Sequence, residues 1–173
     1  MRRHLRILTI LLAATALMAE TKHPRSIEKE VRHELVMLPY YGLFDNLAYR
    51  VDGATVTLFG QVSRPSLKQD AEARVREIEG VAQVINEIEV LPLSPADDLI
   101  RRAEYVAIYS KDPLQRYALG AIPPIHIIVK NGNVRLEGVV ANEGDKNLVG
   151  IAANSVPGVF SVTNNLQTET GRK

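Results

Sequence analysis

Apolar residues at Ile27, Val31, Leu35 and Leu38 recur at helical spacing and predict a first helix over about 26–38, with Ser26 as its N-cap, Glu28 and Glu30 near its positive end and Pro39 as its stop. The period then changes to two. Leu47, Tyr49 and Val51 alternate with polar neighbours, Asp52-Gly53-Ala54 makes a turn, and Val56, Leu58, Gly60 and Val62 alternate again. Two alternating runs joined by a tight polar-Gly turn predict a β-hairpin. Helical spacing returns at Leu67, Ala71, Val75 and Ile78, with Gly80 placed to cap the C-terminus. A last strand carries Val84, Ile88 and Val90 on one side. The order is α-β-β-α-β.

The same order follows again. Displaced by 78 residues, Gly42 meets Gly120, Val51 meets Val129, Leu58 meets Leu136, Gly60 meets Gly138, Lys68 meets Lys146, Gly80 meets Gly158 and Asn86 meets Asn164, without a gap. In the second turn Asn131-Gly132 stands where the first has Gly53-Ala54; Asn also tolerates a positive φ. The second copy predicts a helix from about Asp97 to Ile108, an irregular stretch, strands with Ile125, Ile127 and Val129 and then Val134, Leu136 and Val140, a helix facing inward with Leu148, Val149, Ala152 and Val156, and a last strand holding Val159, Val162 and Leu166. A 78-residue period is too long for a solenoid unit, so each copy should be a small domain with its own core. The expected fold class is α+β, two tandem α-β-β-α-β modules over residues 24–91 and 95–168, joined by the proline-containing, rather stiff linker from Leu91.

Gly53, Gly60, Gly80, Gly132, Gly138 and Gly158 read as turn and packing positions. Gly60 and Gly138 fall on the inward face among Val and Leu, where a missing side chain lets another element approach. Packing of the module's second helix over the sheet is the expected reason, and ligand contact the sharper alternative.

The phrases "VDGATVTLFGQV" with "AEARVREIEGVAQVINEIEV", and "VKNGNVRLEGVV" with "IAANSVPGVFSVTNNLQT", resemble the BON domain, the bacterial osmotically-induced-protein and nodulation domain, in tandem. The resemblance runs from about Pro24 to Thr168. It implies a small three-stranded mixed sheet with two helices on one face in each module. It also implies an exported or envelope-associated protein that binds phospholipid surfaces, supports envelope integrity under stress or assists other exported proteins. No catalytic residue is implied. The second copy departs from the pattern in its first helix, where tyrosines replace aliphatics.

Composition narrows the setting. Arg2, Arg3 and Arg6 precede an apolar run from Ile7 to Met18 and then small residues, the pattern of a secretory signal peptide ending at Ala16 or Ala19. No cysteine occurs, which excludes disulfides and thiolate metal sites. Removing the three leader arginines leaves 18 basic against 20 acidic residues, a balance that does not favour nucleic acid as a partner. The expected setting is periplasmic or otherwise exported.

Reactive chemistry is sparse. His4, His23, His33 and His126 have no ligand spacing, no serine sits in a nucleophile elbow, and Asp97-Asp98 reads as the acidic start of a helix. No enzyme, cofactor or metal is expected. Aromatic residues cluster instead. Tyr40, Tyr41, Phe44 and Tyr49 lie in one segment; Tyr105, Tyr109 and Tyr117 lie among Arg101, Arg102, Lys111 and Arg116 in another. Tyrosine beside arginine on an amphipathic helix suits a headgroup interface. The opposing reading aligns Tyr105 and Tyr109 with Ile27 and Val31 as core rings whose hydroxyls reach the surface. All four basic residues are expected exposed. Phe59 should lie on the outer sheet face with Thr55 and Thr57. The leading function is binding of an anionic phospholipid surface. The alternatives are a protein-interaction or chaperone-like module that uses the outer sheet face and the aromatic loop, and small-ion or small-ligand binding.

Overall fold

The computed structural model describes residues 24–169, so the proposed leader lies outside the described residues. The first module is α1 (Pro24–Val36), β1 (Asn46–Asp52), β2 (Thr55–Val62), α2 (Pro65–Arg76), β3 (Gln83–Asn86) and β4 (Glu89–Val90). The second is α3 (Pro95–Tyr109), a 3-10 turn (Asp112–Ala118), β5 (Ile125–Lys130), β6 (Asn133–Val140), α4 (Glu143–Asn154), β7 (Ser161–Asn164) and β8 (Gln167–Thr168). In each module the hairpin pairs antiparallel, and its second strand also takes the last, broken strand in parallel. The result is a three-stranded mixed sheet carrying two helices, as the α+β reading expects.

The apolar sets close two cores. Ile27, Val31, Leu35 and Leu38 join Val56, Leu58, Leu67 and Val75 in the first; Ile108, Ile127, Leu136 and Val149 belong to the second. Several terminal details differ from expectation. Because α1 begins at Pro24, Ser26 is inside it and is not its N-cap. It also ends at Val36, before Pro39.

The paired glycines after the second helices also differ from expectation. Gly80 has φ +91 but lies beyond the cap of α2, which is Glu77. Gly158 has φ +86 and lies beyond the cap of α4, which is Ser155. Neither caps its helix. Gly158 is no packing position either. It is exposed, and a Cβ there would meet only the Ile100 side chain, at an ordinary 3.9 Å. What holds a glycine at 158 is the left-handed turn that leads from α4 into the last strand. Gly53 is likewise a turn glycine with open space around it.

The last strand of each module is broken at the same asparagine. Asn86 Nδ2 donates to the Lys68 carbonyl of α2 at 2.9 Å, and Asn86 Oδ1 accepts from the Ile88 amide at 3.2 Å. Asn164 repeats both bonds, to the Lys146 carbonyl of α4 at 2.8 Å and from the Leu166 amide at 3.2 Å. The matched lysine and asparagine pairs of the repeat are therefore one device. The side chain satisfies main-chain groups that a strand kink would leave unpaired.

Gly60 and Gly138 require a correction of cause. Their φ angles are +116 and +120, and a Cβ would stand 2.0 Å from the Asn46 carbonyl oxygen or 1.9 Å from that of Pro124. The neighbouring strand's own backbone, rather than the second helix, excludes a side chain there. Both strands kink at equivalent points.

Candidate functional site

Helix α3 turns Asp97, Arg101 and Glu104 inward. Its buried stripe is Asp97, Ile100, Arg101, Glu104 and Ile108, while Leu99 and Val106 on the opposite side are each 63% exposed. Ser94 caps the helix by accepting from the Asp97 amide at 3.2 Å, and Pro95 opens it. The Asp97 carboxylate then accepts from the amides of Asn131 and Gly132 at 2.9 and 2.8 Å. Sequence reading assigned this aspartate only to the helix end. The structure gives it a second partner, the turn of the β5–β6 hairpin.

The spacing Ile27–Val31–Leu35 of α1 reappears as Ile100–Glu104–Ile108, displaced by 73 residues rather than 78. The 3-10 turn supplies the extra length in the second copy. Alignment of Tyr105 and Tyr109 with Ile27 and Val31 is therefore wrong. Glu104 stands where Val31 does, fully buried, and among the described residues neither carboxylate oxygen has a hydrogen-bond partner. Burial raises its pKa to about 7. Tyr109 is buried, but its hydroxyl donates to the Ile125 carbonyl at 3.0 Å instead of reaching the surface. Tyr105 packs against it with ring centres 5.1 Å apart and stays exposed.

The basic cluster divides. Arg101 is buried, contrary to expectation, and donates to the Val129 carbonyl at 2.7 Å while pairing with Asp98. It caps the edge of β5 and is not available to a surface ligand. Arg102 and Lys111 are exposed. Arg116 is exposed but bound to Asp145, whose carboxylate also accepts from the Tyr117 hydroxyl at 2.6 Å. That group fastens the 3-10 turn to the start of α4.

The aromatic loop of the first module faces the second module. The Leu43 carbonyl accepts from the Ile127 amide on the outer edge of β5 at 2.7 Å, and Leu43 and Phe44 pack against the second core. The Tyr41 ring stacks on His126 with centres 5.7 Å apart. His126 does point away from its own core, yet it is half-buried by this contact, and burial lowers its pKa. Asp45 organises the loop. It is buried and accepts from the Gly42 amide at 3.2 Å and from the Ser63 amide and hydroxyl at 2.6 and 2.8 Å. Further along the seam Lys130 pairs with Glu89, and Leu91 and Ile128 are both buried.

Two adjoining clefts of about 320 and 500 Å³ border this seam and share Gln61, Glu89 and Arg135. Phe59 lines the larger one and is 39% exposed; Thr57, expected outside with it, is buried. Among the described residues no group of three His, Asp or Glu is placed to hold a metal ion. Within them, too, no helix is long and apolar enough to cross a membrane.

A family model described as the BON domain matches residues 25–92 and 114–170. The second match opens inside the 3-10 turn, so α3 falls between the two ranges. No curated protein matches the chain. Among solved structures it is similar to the C-terminal domain of CdsD, described as the structural protein of the type III secretion system of Chlamydia trachomatis. The identity is 12%, over 81% of this chain and 96% of that one, with a TM-score of 0.28. A second CdsD structure gives 12% identity over 82% and 91% of the two chains, with a TM-score of 0.30.

Proposed function

The chain belongs to the BON-domain family, in two tandem copies, and from that premise we propose that it is a non-catalytic, exported envelope protein whose α3 surface binds anionic phospholipid and supports envelope integrity under stress. The observation that carries this reading is the outward face of α3. Leu99 and Val106 lie exposed there in line with Arg102, and Tyr105 flanks them. Apolar side chains beside arginine and tyrosine suit the boundary between headgroups and acyl chains. Arg102 and Lys111 would each add about 1 kcal/mol of attraction to an anionic surface, and a few exposed apolar side chains supply the rest. Arg116 contributes less, because Asp145 already neutralises it.

Co-sedimentation of the protein with anionic and neutral liposomes tests the reading. Binding should need anionic lipid, and Leu99→Gln with Val106→Gln should weaken it as strongly as Arg102→Gln with Lys111→Gln. Equal binding by the parent and both variants would sink it. A second reading, a protein-interaction or chaperone-like module, draws on Phe59 and Ile85, both 39% exposed. Loss of client protection by Phe59→Ser with liposome binding intact would favour that reading.

A further inference from the structure

The contact between the modules has an unused counterpart at each end of the molecule. In the second module the edge of β5 is closed. Ile125, Ile127 and Val129 are fully buried, and the Tyr109 hydroxyl, the Leu43 carbonyl and the Arg101 guanidinium meet its outer main-chain groups. The equivalent residues of β1, displaced by 78, are Leu47, Tyr49 and Val51, and all three are only half-buried. Among the described residues no carbonyl meets the Tyr49 amide, which corresponds to that of Ile127. Beside that edge lies an open groove of about 220 Å³ lined by Arg32, Leu35, Val36, Tyr41, Leu47 and Tyr49. In the second module Leu43 and Phe44 pack against the core.

The counterpart of the inserting loop is equally free. Residues 119–122 correspond to Tyr41, Gly42, Leu43 and Phe44. Leu119 is 86% exposed, Gly120 and Ala121 are exposed and Ile122 is half-buried, whereas their first-module equivalents are all half-buried. The Tyr41 hydroxyl meets the Leu47 main chain, but the Tyr49 amide stays open beside a groove of mixed apolar and polar lining. An open amide on a strand edge is a template for another chain.

We propose that the 119–122 loop of one copy docks on the β1 edge of a second copy, repeating between molecules the contact that joins the two modules within one. Four of the seam contacts have a workable equivalent under the same displacement, although Asp45, beside His126, maps to Pro123 and has none. The Leu43 carbonyl to Ile127 amide bond becomes Ala121 carbonyl to Tyr49 amide. Stacking of Tyr41 on His126 becomes an apolar contact of Leu119 with Ala48. The Glu89–Lys130 pair becomes a Gln167–Asp52 hydrogen bond. Leu91 and Ile128 become Glu169 and Arg50, which are of opposite charge and both exposed. This interface joins two different surfaces, so repeating it gives an open head-to-tail series rather than a closed twofold dimer. One loop against one edge is a small contact, and association is therefore weak and concentration-dependent.

Sedimentation of the full chain over a wide concentration range tests the proposal. The weight-average mass should rise steadily with concentration. Leu119→Asp in the loop and Val36→Asp in the groove should each hold the protein at the monomer mass, with thermal melts matching the parent. Mixed one to one, the two variants should form a heterodimer that grows no further, since only one intact loop and one intact edge remain. Arg50→Glu and Glu169→Arg should each weaken association, and the double exchange should restore it. A parent that stays monomeric at every concentration overturns the proposal. So does association that both Asp variants leave unchanged, or a mixture that stays monomeric while the parent associates.

Discussion

The Leu43 carbonyl of the first module lies 2.7 Å from the Ile127 amide of the second, and it is the loop around Leu43 that closes the second module's edge strand. The dependence is one-sided, because Leu43 and Phe44 pack into the second core while no described segment of the second module packs into the first. A fragment covering 24–91 should therefore unfold cooperatively by itself. A fragment covering 92–169 should be weaker than the same module in the full chain. In the full chain Phe44→Ala should cost about 2 kcal/mol, less than truncation of a fully buried Phe because the ring is only half-buried. Urea titrations followed by probes in each module check this. If the second module has the same midpoint in fragment and full chain, the loop contributes nothing.

Glu104 should make the second module less stable as pH rises. Its folded pKa, about 7, lies above the ordinary carboxyl value of 4.5, so its stabilising share is complete below pH 4.5 and is lost as pH rises toward 7. At about 1.4 kcal/mol per pKa unit the loss is roughly 3 kcal/mol above neutrality. Glu104→Val, which restores the residue found at position 31, should raise the urea midpoint at pH 8 and flatten this slope. A variant no more stable than the parent at pH 8 would show that the carboxylate finds solvent.

His126 acts in the opposite direction. Burial holds its pKa below the ordinary 6.5, against the pull of the Asp45 carboxylate and the main chain at Gly42 and Asp45. The contribution is present above 6.5 and lost as pH falls through the depressed value. Acid should therefore loosen the Tyr41–His126 contact first. His126→Phe, which keeps a ring against Tyr41, should remove this acid limb, and NMR titration of the His126 ring reads the pKa directly.

Gly60→Ala and Gly138→Ala should each cost about 3 kcal/mol, since a positive φ is combined with a Cβ set against a carbonyl oxygen. Alanine is the informative replacement. If only a helix needed the space, a methyl group would be nearly harmless, and thermal melts close to the parent's would identify that cause. Gly158→Ala is the control, with a positive φ but no close neighbour, and should cost only about 1 kcal/mol.

Arg101→Gln and Arg102→Gln should separate folding from lipid binding. The first removes the buried cap on the Val129 carbonyl and should lower stability by about 2 kcal/mol. The second should leave the melt unchanged and reduce binding to anionic liposomes, more so at low salt because the charge is exposed. The reverse pattern would overturn the assignment of the two side chains.

Hydrophobic periodicity by itself determined the helices and strands, the first core, the sheet and second-helix faces of the second core, and the repeat. Alternating valines and leucines have only one way to bury a sheet face, and Ile27, Val31 and Leu35 one way to bury a helix stripe. The matched Lys68/Lys146 and Asn86/Asn164 were visible as identities, but their shared hydrogen bond appears only when the helix lies beside the kinked strand. The glycine pairs were visible in the same way, yet only the structure separates Gly60 and Gly138, pressed against a carbonyl, from Gly158, where a Cβ would make only an ordinary contact with Ile100. The second copy's first helix misled the alignment because a fixed displacement of 78 cannot register a 3-10 turn inserted between helix and strand. Tertiary packing alone decided that Glu104 and Arg101 face inward while Leu99 and Val106 face out. It also turned the aromatic loop from a candidate partner surface into the joint between modules. The reason is physical: periodicity reports which residues share a face, whereas the choice of what that face meets depends on main-chain groups and edges from distant parts of the chain.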